Sequence, residues 1–108
     1  MNPALPPIVR HCTTMTEVRE GVDALDARIV PLLAQRVAYM TQAARIKPHA
    51  HLVRDEERIE AIVAHVRALA AEHRGEADVI EAIYRHMMEE CIAYEHREFA
   101  RLRAEEAP

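Results

Sequence analysis

The chain reads as all-α: three helices, the first of them long, with a core completed by a second copy of the chain. Three observations lead there. Val18, Val22, Leu25, Ile29 and Leu32 recur at alternating steps of four and three, a heptad-like seam. Two Gly and one Phe are too few for an all-β chain with many tight turns. Helix-ending signals stand at Pro48 and Gly75 and leave three periodic segments.

The first helix spans 14–47. Thr14 and Glu17 form a capping-box pattern, in which a hydroxyl and a carboxylate satisfy free amides of the first turn. At 1.5 Å per residue the helix is nearly 50 Å long, whereas a compact domain of this size has a radius of gyration of roughly 13 Å. It would overhang a single-chain globule, so its seam is expected to meet a second chain. Pro31 removes one helical hydrogen bond, at about 3 kcal/mol. A bend near 27–31 is expected instead of a break, because the apolar pattern continues in phase. Residues 1–13 hold three of the six prolines and read as a mobile arm.

Pro48 ends this helix, since the residue before a proline avoids helical angles. After the loop HAHLVR, a second helix starts near Asp55 and runs to about His73. Its apolar stripe is Ile59, Ile62, Val63, Val66, Leu69 and Ala70. Gly75 marks its C-terminal side. Asp78 is the expected cap of a third helix, which runs to about Arg103. Ile80, Ile83, Tyr84, Met87, Met88, Cys91, Ile92, Phe99 and Leu102 face inward on it. Residues 14–103 form one domain, and 104–108 are expected to fray.

Composition narrows the function classes. A formal charge of −4 disfavours non-specific nucleic-acid binding, which needs a basic surface. No apolar run approaches the roughly 18 residues of a membrane span, and 1–14 lacks the apolar core of a signal peptide. A cytoplasmic location is expected. Cys12 and Cys91 form no CxxC, no His follows a Glu by three residues, and no HExxH occurs, so no metal is expected.

Several polar residues face the wrong way for a plain bundle. Arg36 occupies the next seam position after Leu32. Lys47, 11 residues on, shares that face to within about 20°. Arg58 begins the second helix beside apolar Ile59, and Glu95 sits between Cys91 and Phe99 on the inner stripe of the third. Arg19 lies roughly 25 Å from Arg36 along the axis and about 100° round, so it would serve a partner chain's site. A dimeric coiled coil with surface arginines fits the periodicity equally well. Taken as a set, the residues suggest a buried pocket with several cations, which wants a small polyanion. Arginine grips a carboxylate with two parallel hydrogen bonds. With no Ser–His–Asp or Cys–His arrangement, the chemistry should be electrostatic and conformational.

These residues carry a resemblance. Arg19-Glu20, Asp23, Asp26, Ile29, Leu33, Arg36 and Lys47 are similar to the first helix of the all-α chorismate mutase family. Val53-Arg54-Asp55 and Arg58 match the start of its second helix, and Met88-Glu89-Glu90-Cys91 with Glu95 falls on its third-helix site segment. The likeness covers roughly residues 13–103. It implies an intertwined homodimer with two equal pockets, each taking Arg19 from the partner. It also implies the cofactor-free rearrangement of chorismate to prephenate. Arg36 and the partner's Arg19 would hold the two substrate carboxylates, with Arg58 at the pocket mouth. Lys47 would donate to the ether oxygen as the C–O bond breaks, and Asp55 and Cys91 would make lesser contacts.

Two positions depart from the family pattern. Where Glu95 stands, bacterial members commonly have a glutamine that donates to the same oxygen. An ionised glutamate only accepts, so Glu95 should work only when protonated, a form that apolar neighbours Ile92 and Phe99 favour. Activity should then fall as pH rises. Ile59 stands where mutases often carry a glutamate that binds the ring hydroxyl. An apolar residue there resembles the sister enzyme isochorismate pyruvate lyase, which makes salicylate and pyruvate in the same scaffold. The Cys12-Thr13 lead-in and the short step from Lys47 to Arg58 also look like the lyase. Mutase stands slightly ahead of lyase. A non-catalytic dimer that binds a diacid is a further reading.

Overall fold

The computed structural model describes residues 9–107; the first eight residues of the proposed arm and Pro108 lie outside the described residues. Three α-helices follow in order: α1 (Met15–Ile46), α2 (Glu56–Glu72) and α3 (Ala77–Glu106), with a 3-10 turn at Ala50–Leu52 between the first two. Among the described residues there is no strand, and no helix is long and apolar enough to cross a membrane. The all-α expectation holds, and α1 runs helical through Pro31.

Two compact units divide the chain inside α1, Met1–Ala34 and Gln35–Pro108. In the first, the N-terminal cap forms much as the sequence predicts. The Thr14 hydroxyl accepts from the Glu17 amide at 3.2 Å, while the Glu17 carboxylate accepts from the Thr13 amide and from both threonine hydroxyls. Those hydrogen bonds, Thr13's first, hold the Glu17 carboxyl below its usual range. Arg10 adds ion pairs to Glu17 and Glu20. The seam is uncovered on the single chain: Val22 is 50 % and Leu32 63 % exposed.

The second unit is built on the packing of α2 against α3. Ile59, Val63 and Met88 form its centre, with Ile62, Tyr84 and Ile92 against them. Val66 and Ala70 extend the buried stripe of α2, and Ala44 of α1 is fully buried. Leu69 and Ile83, expected inward, are 38 % and 56 % exposed. They flank stripes that are wider than one helix–helix seam can cover.

Helix ends explain the loop positions. The Asp55 carboxylate caps α2 by accepting from the Arg58 amide at 3.0 Å. At the other end, Gly75 N–H reaches the Ala70 carbonyl at 2.7 Å and Arg74 N–H reaches Ala71, the paired bonds of a Schellman motif. Its left-handed residue is Arg74, with φ 58°, and Gly75 has no positive φ. The Gly75 stop signal therefore lies one residue beyond the strained position. Asp78 is not the cap of α3. The helix starts earlier, with Ile80 N–H on the Glu76 carbonyl. Asp78 instead pairs with Arg67 across the α2–α3 turn. At its far end α3 continues to Glu106, where Arg101 pairs with Glu98 and Glu105.

Candidate active site

Lys47 follows the last residue of α1. Its amide makes the closing bond to the Ala43 carbonyl at 2.9 Å. A helical side chain leans toward the N-terminus of its own helix. The Lys47 ammonium meets the Glu95 carboxylate of α3 at 2.7 Å and the Val53 carbonyl at 3.3 Å. The Glu95 side chain is 4 % exposed and that of Lys47 29 %. The sequence placed Glu95 among apolar neighbours; the structure buries it but sets a cation against it.

One turn earlier on α3, Cys91 is buried and its sulfur accepts from Arg36 Nη1 at 3.5 Å. The Arg36 guanidinium also lies 5.7 Å from the centre of the Tyr84 ring, within cation–π range. Cys91 and Glu95 are about 6 Å apart along the helix axis. Two basic residues separated by three turns of α1 thus converge on adjacent turns of α3.

The other expected site residues stand apart from this pair. Ile59 is a core residue, in the cluster with Val63 and Met88. The Asp55 side chain is occupied as the α2 cap, and Arg58 is exposed on the first turn of α2. Among the described residues, no hydrogen bond or ion pair joins either side chain to Arg36, Lys47 or Glu95. Arg19 is exposed on the part of α1 that belongs to the first unit.

Three contacts around the pair were not foreseen. Thr41 donates to Glu98 at 2.7 Å, and Tyr94 donates to the same carboxylate. Arg101, then Thr41, hold the Glu98 carboxyl down at about 2. Arg54 forks onto Glu89 at 2.8 and 3.0 Å and fastens the start of α2 to α3. Arg103 donates to the backbone carbonyls of Ala44 and Lys47. Tyr94 and Arg101 reach Glu98 within one turn of α3, whereas the Thr41–Glu98, Arg54–Glu89 and Arg103 pairings join residues 35 or more apart and no local pattern marks them.

A family model described as chorismate mutase type II matches residues 18–96, a span that includes Arg19, Arg36, Lys47, Arg58 and Glu95. The chain belongs to the chorismate mutase type II family. Among curated proteins, it is 28 % identical over 82 residues to the isochorismate pyruvate lyase of Pseudomonas aeruginosa, covering 76 % of this chain and 81 % of that one. The family match thus agrees with the resemblance drawn from the helix motifs.

Proposed function

We propose that this protein is a chorismate mutase that rearranges chorismate to prephenate without a cofactor, working as a homodimer. One observation carries the reading: the Lys47 ammonium is held 2.7 Å from the nearly buried Glu95, with Arg36 one turn away at Cys91. Burying charge is costly unless it is paired or used. A dianionic guest gives such cations a use.

In this reading Arg36 and the partner's Arg19 grip the two carboxylates, and Arg58 closes the mouth of the pocket. Clamping the flexible substrate in its reactive shape supplies orientation. Lys47 donates to the ether oxygen as the C–O bond breaks, and a donor so placed is typically worth about 2.7–4 kcal/mol. Glu95 opposes this while ionised, since it occupies the Lys47 ammonium and offers no proton of its own. With a proton it releases Lys47 and becomes a second donor. The exposed apolar row from Val18 to Leu32 supports pairing of two chains through α1.

A second reading, isochorismate pyruvate lyase, is favoured by Ile59, which is 8 % exposed in the core and offers a ring hydroxyl nothing. The P. aeruginosa relative bears that name. Offering the purified protein chorismate and isochorismate separately decides between them. Prephenate from chorismate supports the mutase; salicylate from isochorismate alone replaces it with the lyase. Binding of either compound by calorimetry with no product makes the protein a diacid binder. A single sedimenting copy at micromolar concentration would overturn the shared site.

A further inference from the structure

Arg103 lies outside every motif that points to the site, on α3 eight residues beyond Glu95. It answers a need created elsewhere in the chain. Ala44 is 0 % exposed. In a continuing helix its carbonyl would accept from the amide four residues on, but that residue is Pro48, which has no N–H. The Lys47 carbonyl, immediately before the proline, also lies beyond the last helical bond of α1. Arg103 Nη2 donates to both, at 3.2 Å to Ala44 and 2.5 Å to Lys47.

The guanidinium is fixed from other sides as well. It lies over the Phe99 ring, 4.1 Å from its centre. Its Nη1 is buried without a partner among the described residues. An arginine kept for surface charge would carry its head to water; this one turns it inward, onto the C-terminal end of α1, where a positive charge meets the negative pole of the helix. Lys47 is thereby held by α3 at two points. Glu95 takes its ammonium and Arg103 takes its own backbone carbonyl, about 12 Å apart along α3.

We propose that Arg103 is a positioning residue for Lys47, holding the root of the lysine so that its ammonium stays aimed at the reacting oxygen. The proposal rests on the reading of Lys47 as donor to the substrate. Arg103 touches no substrate and acts through the backbone at Ala44 and Lys47. Misplacement of a reacting group by about 1 Å can cost on the order of 100-fold in rate. Loss of Arg103 should therefore fall on turnover more than on binding.

Steady-state kinetics of Arg103→Ala, Arg103→Lys and Lys47→Met with chorismate and isochorismate test this, at a temperature where circular dichroism shows each variant folded. Arg103→Ala is expected to lower kcat about tenfold or more with KM within about threefold. Arg103→Lys, which keeps the charge and one reach of donor but not the fork, should recover part of kcat. A folded Arg103→Ala with wild-type kcat overturns the proposal, however far its melting temperature falls. So does a loss confined to KM. If Arg103→Ala does not fold, Arg103→Met, which keeps an apolar stem over Phe99 and deletes the donors, takes its place, and the same two outcomes apply. Lys47→Met separates the two claims. Wild-type turnover in that variant removes Lys47 from the chemistry and sinks the functional reading. An inactive Lys47→Met beside an unimpaired Arg103→Ala sinks the positioning role alone.

Discussion

Replacing Lys47 with methionine probes the buried ion pair directly. The substitution keeps the length and apolar body of the stem and deletes the ammonium. It leaves the Glu95 carboxylate, on a side chain only 4 % exposed, without its cation. Removing one partner of a buried pair costs about 3–5 kcal/mol, chiefly through the charge left behind. The Lys47 side chain is 29 % exposed, so water already shares part of the interaction and the lower end applies, about 3 kcal/mol. A domain of this size loses roughly 4–8 °C of melting temperature per kcal/mol, giving a fall of about 12–24 °C. Thermal melts followed by circular dichroism, at one fixed protein concentration, measure it. Lys47→Met/Glu95→Leu should recover most of the loss, since no charge remains buried. A Lys47→Met melt within about 3 °C of wild type near pH 8, or a double variant no better than the single, would refute the reasoning.

Four further outcomes are expected. Under the proposed function, Glu95→Gln raises turnover of chorismate, because an amide N–H can donate where an ionised carboxylate only accepts; a variant no faster than wild type removes Glu95 from the mechanism. Arg74→Gly relieves a left-handed residue that costs about 1–2 kcal/mol, and after glycine's entropy loss of about 0.5–1 kcal/mol the net gain is about 0–1.5 kcal/mol, read as a rise of several degrees at most in a melt. Glu98, held at about 2, contributes stability that is complete above the ordinary carboxylate range and is lost as pH falls through that range toward 2. Acid titration of Glu98→Gln should accordingly show a shallower loss of fold than wild type. Arg19→Ala should raise KM for the diacid without changing the melting temperature by more than about 2 °C, because its side chain is exposed on a single chain.

The elements were legible because periodicity is local. Val18 to Leu32 and Ile59 to Ala70 announce helices without reference to anything distant, and Pro48 ends the first from its own chemistry. Ends that depend on geometry were harder. The left-handed residue after α2 is Arg74, although Gly75 beside it is the conventional choice, because the chain places the turn by its hydrogen bonds to Ala70 and Ala71. In the site, Lys47 and Glu95 were each legible as charges on an apolar stripe, yet nothing local says that they touch. Arg103 could have been sought. Pro48 strips the Ala44 carbonyl of its amide, so a donor must come from elsewhere. The sequence offers many arginines and does not say which one supplies it.

Hydrogen bonds tie the C-terminal end of α1, with Lys47 just beyond it, to α3. Arg36 meets Cys91, Thr41 meets Glu98, Lys47 meets Glu95, and Ala44 and Lys47 meet Arg103. All are polar and directional. An apolar interface tolerates a small slide with modest loss, because dispersion and burial fall off gradually. Hydrogen bonds and ion pairs at 2.5–3.5 Å do not: a slide of one residue along α1, about 1.5 Å, carries each donor out of range together. The polar set therefore fixes the register of the lysine against α3 more sharply than packing of α2 on α3 could. Electrostatic catalysis needs that sharpness, since a donor helps only when it is aimed where charge will develop. The same residues that look misplaced in an apolar bundle are those that hold the aim.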